Sequence, residues 1–533
     1  MTQQDDMTGN IMGDLEGDIV TPGKLAHFMA EYEHTHRVDE YEIHGLRVWP
    51  YLRVHLATLS LLQRSNRQAE PMGTRNLEKS GYHGPGRVYF NRFNILKNWQ
   101  YARRFNLNQG VHPDHRGYDV LIVAGHSRRQ WIGGHWYHYI ADPMADLLEA
   151  RGIRCLTWQI GAPLTPAYRP YAIISPIIRL ATWWRTGLHT RRPLLSPPAW
   201  FHEYAQVHRE LSGSDSSWHE IVSRIRYFMW ISHVMAHWIR RSEVRAVMLD
   251  CWTNWHMIQA TIAAHRLGLP VIDIQHGIQE HTHHSYHGWR KEPPGGYAIR
   301  PDRFWVWGER AEKLYGQTNL IGSEIIRGGN PWLERWRTNT DPVLAREISG
   351  VKEHTHGFRR AILVTTSVPA TKKLSYIKKM IALSPGDWLW FIRLHPTVNR
   401  EKNAIEQELE GERILVEEGT QRPLYALLQV VDLHASIVST CSYEALAFGK
   451  PTILIDSGGA MIFREFVASG AMFFAERPED FGDMAELAFK TDPALLKELG
   501  HGFFADRAYT DRAADRVADI ARCSGSAFPR TAR

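Results

Sequence analysis

Two separate runs of alternating apolar strands and helices constrain the fold of this chain more than any other feature. The first run has apolar segments at 118–125, 245–250, 270–274 and 304–308, and the second has them at 360–366, 388–394, 413–416, 435–439 and 451–456. Repeated strand and helix units predict parallel sheets covered by helices. The sequence therefore predicts an α/β protein with two Rossmann-like, doubly wound domains that face each other across a cleft, where ligands bind beside the carboxyl ends of the strands.

The length of 533 residues is consistent with two large domains and extensions. We predict an N-terminal tail with a helical or irregular extension over 1–116, a first domain over 117–335, a second domain over 336–510 and a C-terminal helix over 511–533 that packs back onto the first. Helical periodicity marks 24–33 and 49–64, whereas 1–24 reads as a disordered tail and 66–116 as irregular. A cluster of turn-forming residues at 324–331 predicts the domain boundary.

Composition and charge narrow the class of protein. Cys155, Cys251, Cys441 and Cys523 lie far apart, which argues against a disulfide framework or a zinc ribbon. The polar, acidic N-terminus and the lack of a long apolar segment predict a cytoplasmic protein. A net charge of +6 favours anionic partners, and without any recognised nucleic-acid motif we expect no nucleic-acid role.

One apolar and aromatic stretch, residues 171–184, is followed by basic residues. It is typical either of a buried, domain-packing helix or of a peripheral contact with the inner face of the membrane.

The second domain offers two devices for holding phosphates, although the sequence contains neither a GxGxxG fingerprint nor a P-loop. Arg393 and His395 follow a strongly apolar strand and should lie at the carboxyl edge of the sheet. Ser439, Thr440 and Ser442 stand where a short helix begins, and a helix N-terminus favours a diphosphate. The alternatives are a histidine bonded to a loop carbonyl and simple N-capping.

Further candidates on the donor side are Thr366 and Ser367, after the first strand of this domain, and Glu444 in the short helix.

In the first domain, the most informative element is Gln275-His276-Gly277 directly after an apolar strand. A histidine at this strand exit should face the cleft, and a pKa near neutrality suits the removal of a proton from an acceptor hydroxyl. Asp250 and Glu280 are the alternative bases. The residues expected to contact the acceptor are Gly133, Gly134, His135 and Gln275.

A cluster of four histidines follows, at 281, 283, 284 and 287. Its spacing lacks a helical frame or matching cysteines, which favours a polar loop over a metal site.

The order of an HP motif, a Ser/Thr-rich loop, a YEA-type helix and a GKP ending resembles bacterial GT-B transferases of capsule, teichoic-acid and sialic-acid polymer synthesis. The resemblance implies that His395 and the Ser439–Ser442 loop hold the phosphates of a nucleotide-activated donor. The HG element is similar to that of teichoic-acid glycerophosphotransferases, which implies that His276 is the base. The C-terminal DRAADRVADI segment looks like the closing helix of capsule-synthesis proteins.

This resemblance implies that the protein transfers a sugar or a polyol phosphate to a carbohydrate or lipid-linked acceptor. The donor would be a nucleotide sugar or a CDP-polyol, with CMP, CDP or UDP as the nucleotide. No metal and no cofactor are expected, because helix ends and cations neutralise the leaving group. Two alternatives remain: a sugar-nucleotide 2-epimerase on the same fold, and a non-catalytic sugar- or lipid-binding component of polysaccharide assembly.

Overall fold

Two parallel β-sheets with helices on both faces form the body of the protein. The computed structural model describes residues 22–56, 95–113, 115–187, 196–212, 215–277, 279, 283, 285–290, 292–317, 323–338, 340–366, 373–395, 402–409 and 411–523. Residues 1–21 of the predicted disordered tail and residues 57–64 of the second predicted helix lie outside these ranges, whereas residues 22–24 begin the first helix.

The N-terminal extension is helical. It comprises α1 (Pro22–Thr35), the short antiparallel pair β1 (Glu42–Ile43) and β2 (Leu46–Arg47), α2 through residues 49–56, and α3 (Ile95–Asn108). The helix predicted over 24–33 is confirmed, but the prediction that 66–116 is irregular was wrong at α3. The buried face of α3 consists of Asn98, Ala102, Phe105 and Asn106. Because two of these four side chains are polar, the helical period of apolar residues is weak in the sequence.

The first domain contains a seven-stranded sheet whose strands are all parallel. Its elements in chain order are β3 (Val120–Gly125), β4 (Arg129–Ile132), β5 (His135–His138), α4 (Ala141–Glu149), β6 (Cys155–Ile160), β7 (Ala172–Ile173), α5 (Ser175–Gly187), α6 (Ala199–Ser212), α7 (Trp218–Ser242), β8 (Ala246–Leu249), α8 (Trp255–Arg266), β9 (Val271–Ile274), β10 (Arg303–Val306), α9 (Glu309–Gly316) and β11 (Glu324–Arg327). The strand order is β11-β10-β9-β8-β3-β6-β7, and β4 and β5 form a separate hairpin.

The second domain contains a six-stranded parallel sheet with the order β14-β13-β12-β15-β16-β17. Its elements are α10 (Pro331–Thr338), α11 (Pro342–His354), β12 (Arg360–Thr365), α12 (Leu374–Leu383), β13 (Trp388–Arg393), α13 (Lys402–Glu408), β14 (Ile414–Leu415), α14 (Val416–Gln421), α15 (Leu424–Val430), β15 (Leu433–Ser436), α16 (Cys441–Ala447), β16 (Thr452–Leu454), α17 (Ser457–Ile462), α18 (Arg464–Ala468), β17 (Met472–Phe474), α19 (Phe481–Ala488), α20 (Pro493–Phe503) and the closing helix α21 (Arg507–Cys523). The predicted fold class, two doubly wound domains of the GT-B type, is confirmed. The exact domain boundaries remain predictions.

One segment differs from its sequence interpretation, and in another the structure decides between two predicted alternatives. Residues 324–327 of the predicted turn cluster form the edge strand β11, and the turn comes only at Gly328. The stretch 171–184 forms β7 and the start of α5, and its Ile174 and Ile178 are buried in the core of the first domain. The domain-packing alternative is therefore correct for these two side chains.

The closing helix α21 returns to the first domain, as its alanine stripe predicted. Ala514, Val517 and Ala518 are buried in one cluster with Met144 and Leu148 of α4, on one face of the first sheet. Small alanine side chains let the two helices approach closely. The C-terminus therefore ties the two domains together.

The β4–β5 hairpin is a second link between the domains. Its Tyr137 ring stacks on Trp332 of α10 with ring centroids 4.5 Å apart. At its tip, Gly133 has φ +55°, and its N–H donates to Glu347 Oε1 at 3.2 Å. An added Cβ would lie 2.2 Å from Val343 Cγ1, so only glycine allows this approach.

Within the described ranges, no helix is both long enough and apolar enough to cross a bilayer.

A buried histidine in the second sheet makes the stability of the protein depend on pH. His434 on β15 is fully buried between the hydroxyls of Thr365 and Thr452, and burial lowers its pKa to about 3. An unfolded chain binds the proton near pH 6.5. Between these two pH values the unfolded state therefore binds more protons, and stability falls as the pH drops.

Because of this histidine, we expect the free energy of unfolding to fall by about 2 kcal/mol between neutral pH and pH 5. Urea unfolding at both pH values measures the loss. His434→Gln keeps an amide between the two hydroxyls but cannot titrate, so its loss should be smaller. Identical pH dependence in the two proteins would contradict the assignment.

Candidate functional site

The carboxyl ends of the two sheets meet at the two motifs that the sequence singled out. A Cβ built on Gly277, at the exit of β9, would lie 3.4 Å from Thr440 Oγ1, at the start of α16. The two residues are 163 positions apart, as their numbers show. The HG element of the first domain therefore contacts the Ser/Thr loop of the second, and the site lies between the sheets.

His276 is the central side chain of this site. It is half-buried, and its Nδ1 is buried with no hydrogen-bond partner among the described residues. Burial, and next the positive charge of Arg128, lower its pKa to about 3, while Asp250 and the Ile274 carbonyl act in the opposite direction. The sequence predicted a pKa near neutrality, and the structure places it lower. The imidazole is neutral, with a free ring nitrogen.

Asp250 and Arg128 form a charged pair next to His276. Asp250 is buried. Its Oδ2 accepts a hydrogen bond from Gly125 N at 2.8 Å and lies 3.2 Å from Arg128 Nε. These contacts hold the carboxylate in place and direct the guanidinium. Burial opposes the charge of Arg128, but the neighbouring Tyr139 and Asp250 raise its pKa above the ordinary value, so it stays a cation.

Sequence reasoning missed Arg128. The signal was present: the arginine follows the first strand by three residues, in Gly125-His-Ser-Arg128. The position of this charge next to His276 could not be seen in the sequence, however, because residues 128, 250 and 276 lie far apart in the chain and meet only at the edge of the sheet.

The predicted acceptor residues are found in two places. The Gln275 side chain is buried, accepts from Trp307 N at 2.7 Å and donates to the Gly277 carbonyl at 3.1 Å, so it braces the turn that carries His276. Gly133, Gly134 and His135 lie at the exposed hairpin tip beside α11. A role of these residues in acceptor binding remains a prediction, and Glu280 lies outside the described residues.

The Ser/Thr loop of the second domain is held by its own backbone. Ser439 Oγ accepts from Cys441 N at 3.2 Å, whereas Thr440, the N-cap residue of α16, makes no side-chain capping hydrogen bond. Ser442 is fully buried, and its Oγ has no partner among the residues that the structure describes. Glu444 accepts from the Tyr425 hydroxyl, and burial raises its pKa. The loop therefore leaves Ser439 and Thr440 partly exposed, whereas Ser442 and Glu444 are enclosed by protein.

The residues after β12 and β13 differ in what they contact. One guanidinium nitrogen of Arg393, Nη1, donates to the carbonyls of Gly419 (3.0 Å) and Arg422 (2.7 Å) at the end of α14. Thr366 Oγ1 donates to the Arg393 carbonyl and accepts from His395 N, both at 3.3 Å. Arg393 and Thr366 thus shape the strand exit, whereas the His395 side chain is exposed there. Ser367 lies outside the described residues.

The structure describes only part of the histidine cluster. His287 Nε2 lies 2.5 Å from the Gln279 carbonyl, and the His283 ring stands edge-on to Tyr286 with centroids 4.8 Å apart. His281 and His284 lie outside the described residues. In the part of the chain that the structure covers, no three His, Cys, Asp or Glu side chains are grouped to hold a metal ion.

Comparisons with known proteins give matches only in structure. No protein-family model matches this sequence, and no curated protein matches it either. Solved structures similar to this chain include Staphylococcus aureus MnaA with UDP, at 13% identity and a TM-score of 0.46 over 77% of this chain and 98% of that chain. A UDP-GlcNAc 2-epimerase from Neisseria meningitidis bound to UDP-GlcNAc has 14% identity and a TM-score of 0.44 over 75% and 99%.

The wall teichoic acid polymerase TagF has 8% identity and a TM-score of 0.42 over 82% of this chain and 99% of that chain. These values describe a similar chain path at very low identity, so function has to be argued from the site.

Proposed function

We propose that this protein is a metal-independent glycosyltransferase or polyol-phosphate transferase. The second domain binds a nucleotide-activated donor of the CMP, CDP or UDP type, and the first binds a carbohydrate or lipid-linked acceptor in the cytoplasm. The observation that carries the proposal is the contact between Gly277 and Thr440, because it brings a histidine and a hydroxyl-rich loop to one point of the cleft.

In this proposal the donor phosphates lie on the second domain. Ser439 and Thr440 contribute hydroxyls, and the first turn of α16 contributes backbone N–H groups. The hydroxyl of the fully buried Ser442 is enclosed by protein, and the exposed His395 lies at the neighbouring strand exit. Arg393 acts through its charge and by fixing the strand end, since one of its guanidinium nitrogens already donates to carbonyls.

His276 then removes the proton of the acceptor hydroxyl. A neutral imidazole can accept a proton from such a hydroxyl. Burial and, next, the positive charge of Arg128 lower the pKa of His276, and a donor phosphate close to this guanidinium would offset that charge. Donor binding should therefore raise the pKa of His276 and make it a better base.

A thermal-shift panel of nucleotides tests the donor site. Among CMP, CDP, UDP and GDP, alone and as activated sugars or glycerol, the ligands that bind should raise the melting temperature, and a tighter ligand should raise it more at equal concentration. His395→Ala, and Ser439→Ala combined with Thr440→Ala, should each weaken the preferred nucleotide about ten- to a hundredfold, the usual value of charge-assisted hydrogen bonds.

Two controls complete this experiment. His135→Ala changes an exposed histidine of the first domain and should leave nucleotide affinity unchanged. Variants that keep full nucleotide affinity and full activity would remove the phosphate-binding assignment. A chain that shifts with no nucleotide would favour the non-catalytic component of polysaccharide assembly.

A 2-epimerase is the second candidate, since carboxyl groups lie on both sides of the cleft. Asp250 belongs to the first domain, and Glu444, whose pKa burial raises, belongs to the second. Incubation with a nucleotide sugar alone in deuterated water separates the two activities. An epimerase exchanges the hydrogen at C2 without an acceptor, whereas a transferase leaves that hydrogen in place and turns over only when acceptor is added.

A further inference from the structure

The exposed face of α3 carries an unusual set of side chains. Leu96 and Leu107 are 60% and 62% exposed, the highest values among the large apolar side chains that the structure describes. They are 11 residues apart, which is close to three helical turns, so both point to the same side, about 16 Å apart. Isolated exposed leucines need no explanation. Two in line on one helix form an apolar ridge.

Cations flank this ridge. Lys97, Arg103 and Arg104 are exposed, and α3 contains no acidic residue. At 100° per residue, Arg103 lies on one side of the leucine line, and Arg104 and Lys97 lie on the other. The exposed face of α3 is therefore apolar along its centre and positive along both margins.

The opposite side of α3 fixes the helix to the first domain. Phe105 packs with Tyr171 and Ile173, and Asn106 accepts from Ile173 N at 2.8 Å and donates to the Ile173 carbonyl at 3.3 Å. These bonds join the helix to the edge strand β7. The ridge is thus presented by a helix that cannot turn its leucines inward.

A basic groove continues this face beyond the end of α3. It has a volume of about 470 Å³ and no acidic residue in its lining, which consists of Asn106, Leu107, Gly110, Val111, His112, His115, Arg116 and Arg241. Glu243 is the nearby acid, 3.6 Å from Arg116 across an exposed pair. Exposed pairs of this kind are weak, so the groove keeps an excess of positive charge.

We propose that the exposed face of α3 and the basic groove dock this protein on the surface of an anionic lipid bilayer. Leu96 and Leu107 enter the boundary between headgroups and acyl chains, and the cations meet headgroup phosphates. A lipid surface fits better than a protein partner, since the face is a convex apolar ridge with positive margins. The contact lies on α3, not on Ile174 and Ile178 of the 171–184 stretch, which are buried. This inference does not depend on the chemistry at His276.

Vesicle flotation tests the proposal with the full chain. Wild-type protein should float with vesicles of equal parts phosphatidylcholine and phosphatidylglycerol, and bind phosphatidylcholine alone far more weakly. Arg103→Glu combined with Arg104→Glu should lower binding by at least about tenfold, because each cation near such a surface contributes about fivefold. Leu96→Ser combined with Leu107→Ser should lower it about tenfold or more.

A matched control uses two exposed leucines of the second domain, Leu383 (57%) and Leu487 (49%). Changing both to serine should leave vesicle binding unchanged. All variants should keep the wild-type circular dichroism and nucleotide-induced thermal shifts, so a failed donor site and a failed membrane site are distinguishable.

Three outcomes would overturn the proposal. The first is vesicle binding that the α3 variants do not reduce. The second is release by inorganic phosphate but not by sodium chloride of the same ionic strength, which would make the groove a site for free phosphate. The third is a lack of vesicle binding together with a self-association that the leucine variants abolish, which would make this face an interface between copies of the chain.

Discussion

His276→Ala is expected to lower turnover about 10²- to 10⁴-fold, the usual contribution of a positioned general base. Nucleotide affinity should barely change, because in the proposed function the second domain holds the donor. Steady-state kinetics with the preferred donor, together with the thermal shift of the same variant, separate these two effects.

His276→Gln distinguishes a base from a structural side chain. An amide can replace a hydrogen bond, but it cannot accept a proton at neutral pH. If the Gln variant turns over normally, His276 is not the base, and Asp250 becomes the next candidate.

Arg128→Met tests the effect of the neighbouring positive charge on His276. Removing the cation should raise the pKa of His276. The acid limb of the pH–rate profile should then shift to higher pH.

Glu33→Ala should cause the largest loss of stability, about 3–5 kcal/mol, because it leaves a buried arginine without its partner. Glu33 and Arg53 are both fully buried and form an ion pair. Arg53 also donates to the His287 carbonyl at 2.7 Å, and its guanidinium lies 4.2 Å from the centroid of the Trp289 ring. The second oxygen of Glu33 accepts from Arg290 N.

This network joins the N-terminal extension to the segment that follows the HG element. Urea unfolding monitored by tryptophan fluorescence should report its loss, because Trp49 donates to Glu33 and Trp289 lies against Arg53. The matched control is Asp215→Ala in the exposed pair with Arg209, which should change stability by no more than about 0.5 kcal/mol. Equal, small effects of the two changes would contradict the role of the network.

We also expect that Glu33→Ala lowers the turnover of the protein that remains folded more than it lowers the affinity of that protein for nucleotide. The segment containing His287 and Arg290 follows His276, whereas the loop proposed to bind the donor belongs to the other domain. A fall in turnover with unchanged thermal shifts by nucleotide would show that the extension positions the HG side of the cleft.

The sequence alone determined the two sheets and the closing helix. Strands such as β13, whose residues from Trp388 to Ile392 are all buried, read as continuous apolar runs because both faces of a parallel sheet are covered. The alanine stripe of α21 was visible because its period is helical. α3 and β11 were not recognised, since one buries asparagines and the other lies at the edge of its sheet with few buried residues.

The sequence also indicated which two motifs would meet, because strand exits in parallel sheets converge on one edge, and the structure brings the HG element and the Ser/Thr loop together as the candidate site. Only the tertiary structure decided the chemical state of these groups. The low pKa of His276 arises from burial and from Arg128, the Nη1 of Arg393 is occupied by carbonyls at the end of α14, and Gln275 braces a turn. Burial and electrostatic interaction depend on distances between residues far apart in the chain, and the order of residues does not contain those distances.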